Sequence, residues 1–223
     1  MSSEHASRGR GIVRATAQAI SVTTAYFFCP HLICYSTHMA FFTGKGDGGT
    51  TKLFDSKPGE RVTKTSPIFE CLGNLDELNG LTGWCKVACP ADLKVGERTV
   101  GAILRDVQDH LFTLQAEVAG AQKSIPQSSV EALGELITGI ERSLPEVKTF
   151  LVAGGTEFSA RLDIARAVSR RVERRLVHLH ENGERAISAP SRAYMNRLSS
   201  LFYALTRLAN DAEGVVETPP AYR

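Results

Sequence analysis

Between Phe158 and His180, FSARLDIARAVSRRVERRLVHLH, apolar residues return at every third or fourth position: Leu162, Ala165, Val168, Val172, Leu176 and Leu179. That spacing puts them on one stripe of a helix, and the stripe has to be buried against something. Beside it, at the same spacings, run Arg166, Arg170, Glu173 and Val177, with Asp163 on the polar flank. A merely solvated face would scatter Lys and Glu. Concentrated arginine supplies planar forks suited to phosphate or carboxylate. The plainer alternative is a surface helix laced with its own ion pairs, and the rest of the chain has to decide between them.

Four more stretches carry helical periods. Phe69–Ala88 has Leu72, Leu75, Leu78, Leu81 and Trp84 as its stripe. It is expected to begin near Gly73-Asn74, which would put Asp76 and Glu77 in a first turn where the helix dipole favours acids. Val100–Ala119 carries Leu104, Val107, Leu111, Leu114 and Val118 in a bundle-like seam. Val130–Leu144 offers Leu133, Leu136, Ile137, Ile140 and Leu144 and ends before Pro145. Ser191–Asp211 turns Tyr194, Leu198, Leu201, Leu205 and Leu208 inward. Gly154-Gly155-Thr156 supplies a loop and an N-cap ahead of the arginine helix. With no convincing sheet and mostly short connections, the expected fold is an all-α, five-helix up-and-down bundle with antiparallel neighbours.

The 223 residues, 43% hydrophobic and 22% charged, suit one globular domain, and a net charge of +2 argues for no nucleic-acid partner. Residues 1–38 read differently, with Glu4 their only acid. Their apolar run AYFFCPHLICY is broken by Pro30 and too short to cross a bilayer, so no membrane partner is expected. The segment is expected to be a poorly ordered extension, either an over-extended frame before a start at Met39 or a transit peptide. The domain is expected over 39–212, with a flexible tail over 213–223. Five cysteines, at 29, 34, 71, 85 and 89, form no CxxC pair, which favours reduced thiols and a cytoplasmic location (mitochondrial if 1–38 is a transit peptide). Cys85 and Cys89 read as small buried hydrophobes, and no side-chain metal site is expected.

Candidate chemistry lies in four places. TGKGDGGTTK (43–52) resembles a phosphate cradle of backbone N–H groups, hydroxyls and lysine, without matching GxxxxGK[ST] or following a strand. As an alternative it is a flexible N-terminal arm. Arg166, Arg170, Glu173 and Arg174 form the second group. Asn196, unfavourable inside a helix, is either incidental or a hydrogen-bonding group for a base or ribose. Asp76-Glu77 are either dipole partners or functional acids.

Taken in order, TGKGDGGTT (43–51), Lys64, LGNLDELNG (72–80), FLVAGG (150–155), ARAVSRRVERR (165–175) and NRLSSLFYALTRLAN (196–210) resemble the ATP:cob(I)alamin adenosyltransferases of the PduO type over residues 40–212. The resemblance implies a homotrimer of five-helix bundles with active sites between subunits, and ATP, Mg²⁺ and cobalamin as ligands. It implies that Thr43, Gly44, Lys45, Gly46, Thr51 and Lys64 wrap ATP, and that Arg170, Arg171, Val172, Glu173, Arg174 and Asn196 complete that site. Asp76 would pair with Arg166 of a neighbouring copy, and Phe150 would press on the lower face of the corrin. Arg170, Phe150, Asp76 and Arg166 are thereby the expected catalytic set. A reductase and an adenosylcobalamin-dependent enzyme are the implied partners.

The chemistry agrees with what is absent. Co(I) is itself a strong nucleophile, so no serine–histidine or paired-carboxylate machinery is required. The protein has to neutralise charge developing on the leaving triphosphate and align the reacting centres. There are four departures from the family pattern: Asp163 for a usual His, Ala153 for the Pro of FxxPGG, Ser200 for a frequent Asp, and Gly44-Lys45 for an inverted Lys-Thr order. A looser loop follows from Ala153. The competing readings are a non-catalytic adenosylcobalamin carrier, a nucleic-acid-binding bundle, which Asp163 and Glu173 argue against by interrupting the basic face, and a purely structural bundle.

Overall fold

The computed structural model describes residues 42–222. The expectations for residues 1–38, Met39, Cys29 and Cys34 lie outside the described residues. Five helices dominate: α1 (Pro67–Ala88), α2 (Val100–Val118), α3 (Gln127–Ser143), α4 (Glu157–Glu181) and α5 (Ala189–Ala212). Two short antiparallel hairpins, absent from the sequence reading, accompany them. β1 (Thr50–Thr51) pairs with β2 (Val62–Thr63) ahead of α1, and β3 (Lys94–Val95) pairs with β4 (Arg98–Thr99) between α1 and α2.

Each helix start has a local cause. Ser66 caps α1 by accepting the Ile68 N–H, with Pro67 in the first turn. Thr99 caps α2 through Ala102. Thr156 and Ser159 form a reciprocal capping box on α4, as the Gly-Gly-Thr signal predicts. Ser188 caps α5 through Ser191. The Ser66-Pro67 signal corrects the start of α1: the helix begins before Gly73, so Asp76 and Glu77 lie well past its first turn. They gain nothing from the dipole, which acts over the first and last turns.

Side-chain pairs give the helix directions. Gln108 reaches Asn79 and Gln115 reaches Asp76, so α1 and α2 are antiparallel. Arg175 pairs with Glu70 and Arg161 meets Trp84, which sets α4 antiparallel to α1. Asn196 meets Glu173 and Asn210 meets Thr156, which reverses α5 against α4. Arg197 reaches the Val130 carbonyl and Arg207 that of Pro145, so α3 runs parallel to α5. Direction therefore alternates along the chain, as an up-and-down bundle requires. Packing does not follow chain order: α4 packs on α1 and α5, and α3 packs on α5. The 144–156 connection is long enough to allow that arrangement.

The arginine-helix stripe is buried throughout, and the α2 stripe with it. Leucine truncation at such sites costs about 2–5 kcal/mol. One assignment fails. Trp84 is 46% exposed, because its ring lies under the Arg161 guanidinium, 4.4 Å from centroid to carbon, and not in the core. Glu217 pairs with Arg207, and the Thr218 carbonyl accepts the Val152 N–H at 2.9 Å, so this part of 213–223 is anchored.

Candidate functional site

Positions 170, 174 and 178 follow one another at the four-residue spacing that stacks side chains on one helix face, and 173 and 177 do so beside them. They line an open cavity of about 580 Å³ completed by Asn196 of α5. Asn196 Nδ2 donates to Glu173 Oε1 at 2.7 Å, so this exposed asparagine of α5 braces a carboxylate of the cavity. The salt-bridged arginines of α4 among the described residues are Arg161, Arg166, Arg171 and Arg175; Arg170 and Arg174 are not among them. Two exposed guanidiniums thus line one cavity without a salt bridge among the described residues, and forks of this kind suit an anion.

The sequence block that supplied these residues divides in space. Arg171 turns to α1, where Nε donates to Asn74 Oδ1 at 2.8 Å and the fork pairs with Glu77. Val172 is fully buried in the core. The helix thus brings together Arg170, Glu173, Arg174 and Asn196 and leaves Arg171 and Val172 elsewhere. His178 lines the same cavity and is held by Asn182 at 3.0 Å. Its four-residue offset from Arg174 is the sequence signal that could have found it.

The glycine-rich arm is ordered around a residue that sequence reasoning overlooked. Arg61 donates from Nε to Thr50 Oγ1 at 2.7 Å and from Nη2 to the Lys45 and Thr50 carbonyls. The β1–β2 pairing and the Lys64 N–H to Gly49 carbonyl bond close the loop. Gly44 has φ +68, which a side chain would resist. Gly46 lies under Lys64: a Cβ there would stand 3.0 Å from Nζ. The Thr43 hydroxyl accepts the Lys45 N–H at 3.4 Å, and Thr51 sits in β1. Lys45 and Lys64 are therefore presented on a stapled hairpin, and the alternative of a flexible arm does not describe it.

At the other end of α4 the 150–155 loop is fixed by its backbone. Gly154 N–H donates to Asp163 Oδ2 at 2.8 Å, and the Gly154 carbonyl accepts from Asn210 Nδ2 at 3.1 Å. Gly154 and Gly155 both have positive φ, and a Cβ on Gly155 would collide with the Asn210 amide. Asp163 thus has a definite task, and the loop that lacks proline at Ala153 is held by hydrogen bonds instead. Phe150 is 79% exposed, its ring unused by the chain's own core. Arg166 Nε is buried with no hydrogen-bond acceptor and lies 3.9 Å from Asp163. It borders a groove of about 820 Å³ with Ser200 and Tyr203. Asp76 is exposed on α1, where Gln115 donates to it at 3.2 Å. Within one chain, Asp76 and Arg166 are not paired.

Cys71, Cys85 and Cys89 are free thiols, and burial pushes Cys71 and Cys85 up to about 12. That makes both inert; Cys85 is the buried residue expected, whereas Cys89 is only partly buried. Among the described residues no cluster of three metal-ligating side chains is present, and no helix is long and apolar enough to cross a membrane.

Residues 41–209 match the family model described as cobalamin adenosyltransferase. The corrinoid adenosyltransferase PduO of Salmonella typhimurium is 37% identical over 182 residues, covering 78% of this chain and 51% of that protein. The corrinoid adenosyltransferase of Bacillus subtilis is 32% identical over 181 residues, covering 79% and 90%. The chain spans about half the length of the PduO proteins it matches. Among solved structures, a phenylalanine-to-alanine variant of the PduO-type ATP:corrinoid adenosyltransferase from Lactobacillus reuteri, complexed with cobalamin and ATP, superimposes with a TM-score of 0.73. Identity there is 27%, over 82% of this chain and 100% of that one. An arginine-to-lysine variant of the same enzyme, complexed with ATP, gives 0.70 at 29% identity, over 82% and 99%. Matched over residues 41–209 and 32–37% identical to these relatives, the chain belongs to the cobalamin adenosyltransferase family.

Proposed function

We propose that this protein transfers the 5′-deoxyadenosyl group of ATP to cob(I)alamin, forming adenosylcobalamin and triphosphate. The observation that carries the reading is the pair Arg170 and Arg174, in no salt bridge among the described residues and lining one cavity with Asn196. In the reaction the Co(I) electron pair forms the bond to C5′ of ATP. The C5′–O bond breaks, and its electrons leave on triphosphate. No protein nucleophile or base is required. The catalytic task is to hold the triphosphate while negative charge grows on the leaving oxygen, and to keep C5′ in line with cobalt.

Arg170 and Arg174 meet the first need as charge-assisted donors. Lys45 and Lys64, on the hairpin with Thr43, Gly44, Gly46 and Thr51, close over the phosphates. Glu173, oriented by Asn196, faces the sugar and base. Mg²⁺ binds nucleotides mainly through phosphate oxygens with one or two carboxylates. Glu181, the other carboxylate lining the cavity, would fit this need, and the metal would supply charge neutralisation when bound. Phe150 presents an unspent apolar ring to the lower corrin face, which displaces the axial base and eases reduction to Co(I).

Asp76 and Arg166 complete the centre from two copies of the chain. The support is geometric: Arg166 carries a buried N–H without an acceptor, and Asp76 is exposed on a different helix flank. A homotrimer joined through that pair, acting in the cytoplasm, is the assembly we propose. A reductase must supply the Co(I) state, and an adenosylcobalamin-dependent enzyme consumes the product.

Incubating the protein with ATP, Mg²⁺ and cob(I)alamin under strong reduction tests the reading. The Co(I) absorbance should decay with one triphosphate released per Co–C bond formed. Tight adenosylcobalamin binding without turnover would contradict it and leave a carrier.

A further inference from the structure

The C-terminal segment makes bonds that the adenosyl-transfer chemistry does not use. Glu217 and Arg207 form an ion pair whose side chains are only 14% and 11% exposed. The second Glu217 oxygen accepts from Asn210 Nδ2 at 2.9 Å. The same Nδ2 reaches the Gly154 carbonyl, and Asn210 Oδ1 accepts the Thr156 N–H at 3.4 Å. Arg207 in turn donates to the Pro145 carbonyl at 3.4 Å, where the loop departs from α3. One residue beyond the pair, the Thr218 carbonyl takes the Val152 N–H. The loop is therefore pinned at 145, 152 and 154, and Phe150 lies between the pins.

A half-buried carboxylate that loses its arginine is left poorly solvated, so this pair resists opening. The Asn210 amide cannot satisfy the loop and reorient freely, because Gly155 packs against it without a Cβ. Tail position and loop position are thereby coupled through one side chain.

We infer that Glu217, acting with Arg207 through Asn210, is a positioning residue that fixes the Phe150 loop and so sets corrinoid engagement without touching the nucleotide cavity. The inference rests on the reading of Phe150 given above.

Two measurements on the full chain test it. Lys148 is an exposed tryptic site within the pinned loop. Cleavage after Lys148 in the folded protein should be faster in Glu217→Ala than in the parent, a readout that needs no corrinoid. In steady-state assays Glu217→Ala should raise the KM for cob(I)alamin by about tenfold, the scale of one charge-assisted hydrogen bond, and leave the KM for ATP unchanged. Glu217→Gln keeps an acceptor for the Asn210 amide and should recover most of that loss. Unchanged cleavage, or equal changes in both KM values, overturns the inference. If Phe150→Ala itself leaves the corrinoid KM and kcat unchanged, the reading of Phe150 fails instead.

Discussion

The two halves of α4 build their sites by opposite means. The C-terminal half, from Arg170 to Glu181, projects charged side chains from a regular helix face into a cavity. Its geometry follows from the four-residue repeat alone, with one brace from Asn196. The N-terminal half uses its side chains to hold a backbone: Asp163 grips Gly154, and Asn210 grips it from the other side. What is presented there is a single ring, Phe150, on an irregular segment. A helix face is rigid without help, whereas a loop keeps its place only if its N–H and C=O groups find partners. One end should therefore fail through lost charge and the other through lost position.

That contrast predicts a graded set of outcomes. Arg170→Ala should reduce kcat/KM by roughly 10²–10³-fold, as for removal of one donor to developing anionic charge, without dispersing the oligomer; steady-state kinetics with size-exclusion chromatography checks this. Phe150→Ala should lower kcat by roughly 10²-fold through misplacement of the corrinoid and leave ATP affinity by calorimetry unchanged. Asp163→Ala should act in the same direction but less, since the removed bond to a charged acceptor is worth about 1.5–3 kcal/mol; its ATP affinity should also be that of the parent.

A control away from both ends is Glu117, buried beneath the start of α5, where it accepts from Ser188 N–H and the Ser191 hydroxyl. Glu117→Ala should cost about 1–3 kcal/mol of stability in thermal unfolding and leave both substrate affinities alone.

The smallest effect concerns pH. The hydrogen bond from Arg185 holds the Asp55 carboxyl below its ordinary value of 3.8. A lowered folded value means the stabilisation is full above 3.8 and is lost as pH falls through the folded value. The Tm difference between the parent and Asp55→Asn should accordingly stay constant from neutral pH downward and shrink only below 3.8.

The same contrast explains what the amino-acid order could reveal. Periodicity is a property of helices, so the five helices and the buried stripe of α4 could be read directly. The start of α1 was misread because glycine punctuation was weighed above the Ser66-Pro67 cap. Arg170 and Arg174 could be picked out because the four-residue spacing that puts them on one cavity is visible in the sequence. Arg171 and Val172 came with them only because they are adjacent in sequence; the helix turns one to Glu77 and the other into the core. Arg61 and Glu217 gave no local signal, since each acts on backbone or amide groups brought near by tertiary folding. Asp163 departs from the usual His of the family pattern, and its hydrogen bond to Gly154 shows why an acid suits that position.

Asp76 and Arg166 are the residues proposed to complete the catalytic centre across two copies of the chain. Asp76→Ala and Arg166→Ala should each be inactive alone, and co-refolding the two should restore turnover, because mixed oligomers contain junctions with both native residues. Mixed oligomers that form and remain as inactive as either variant would contradict it.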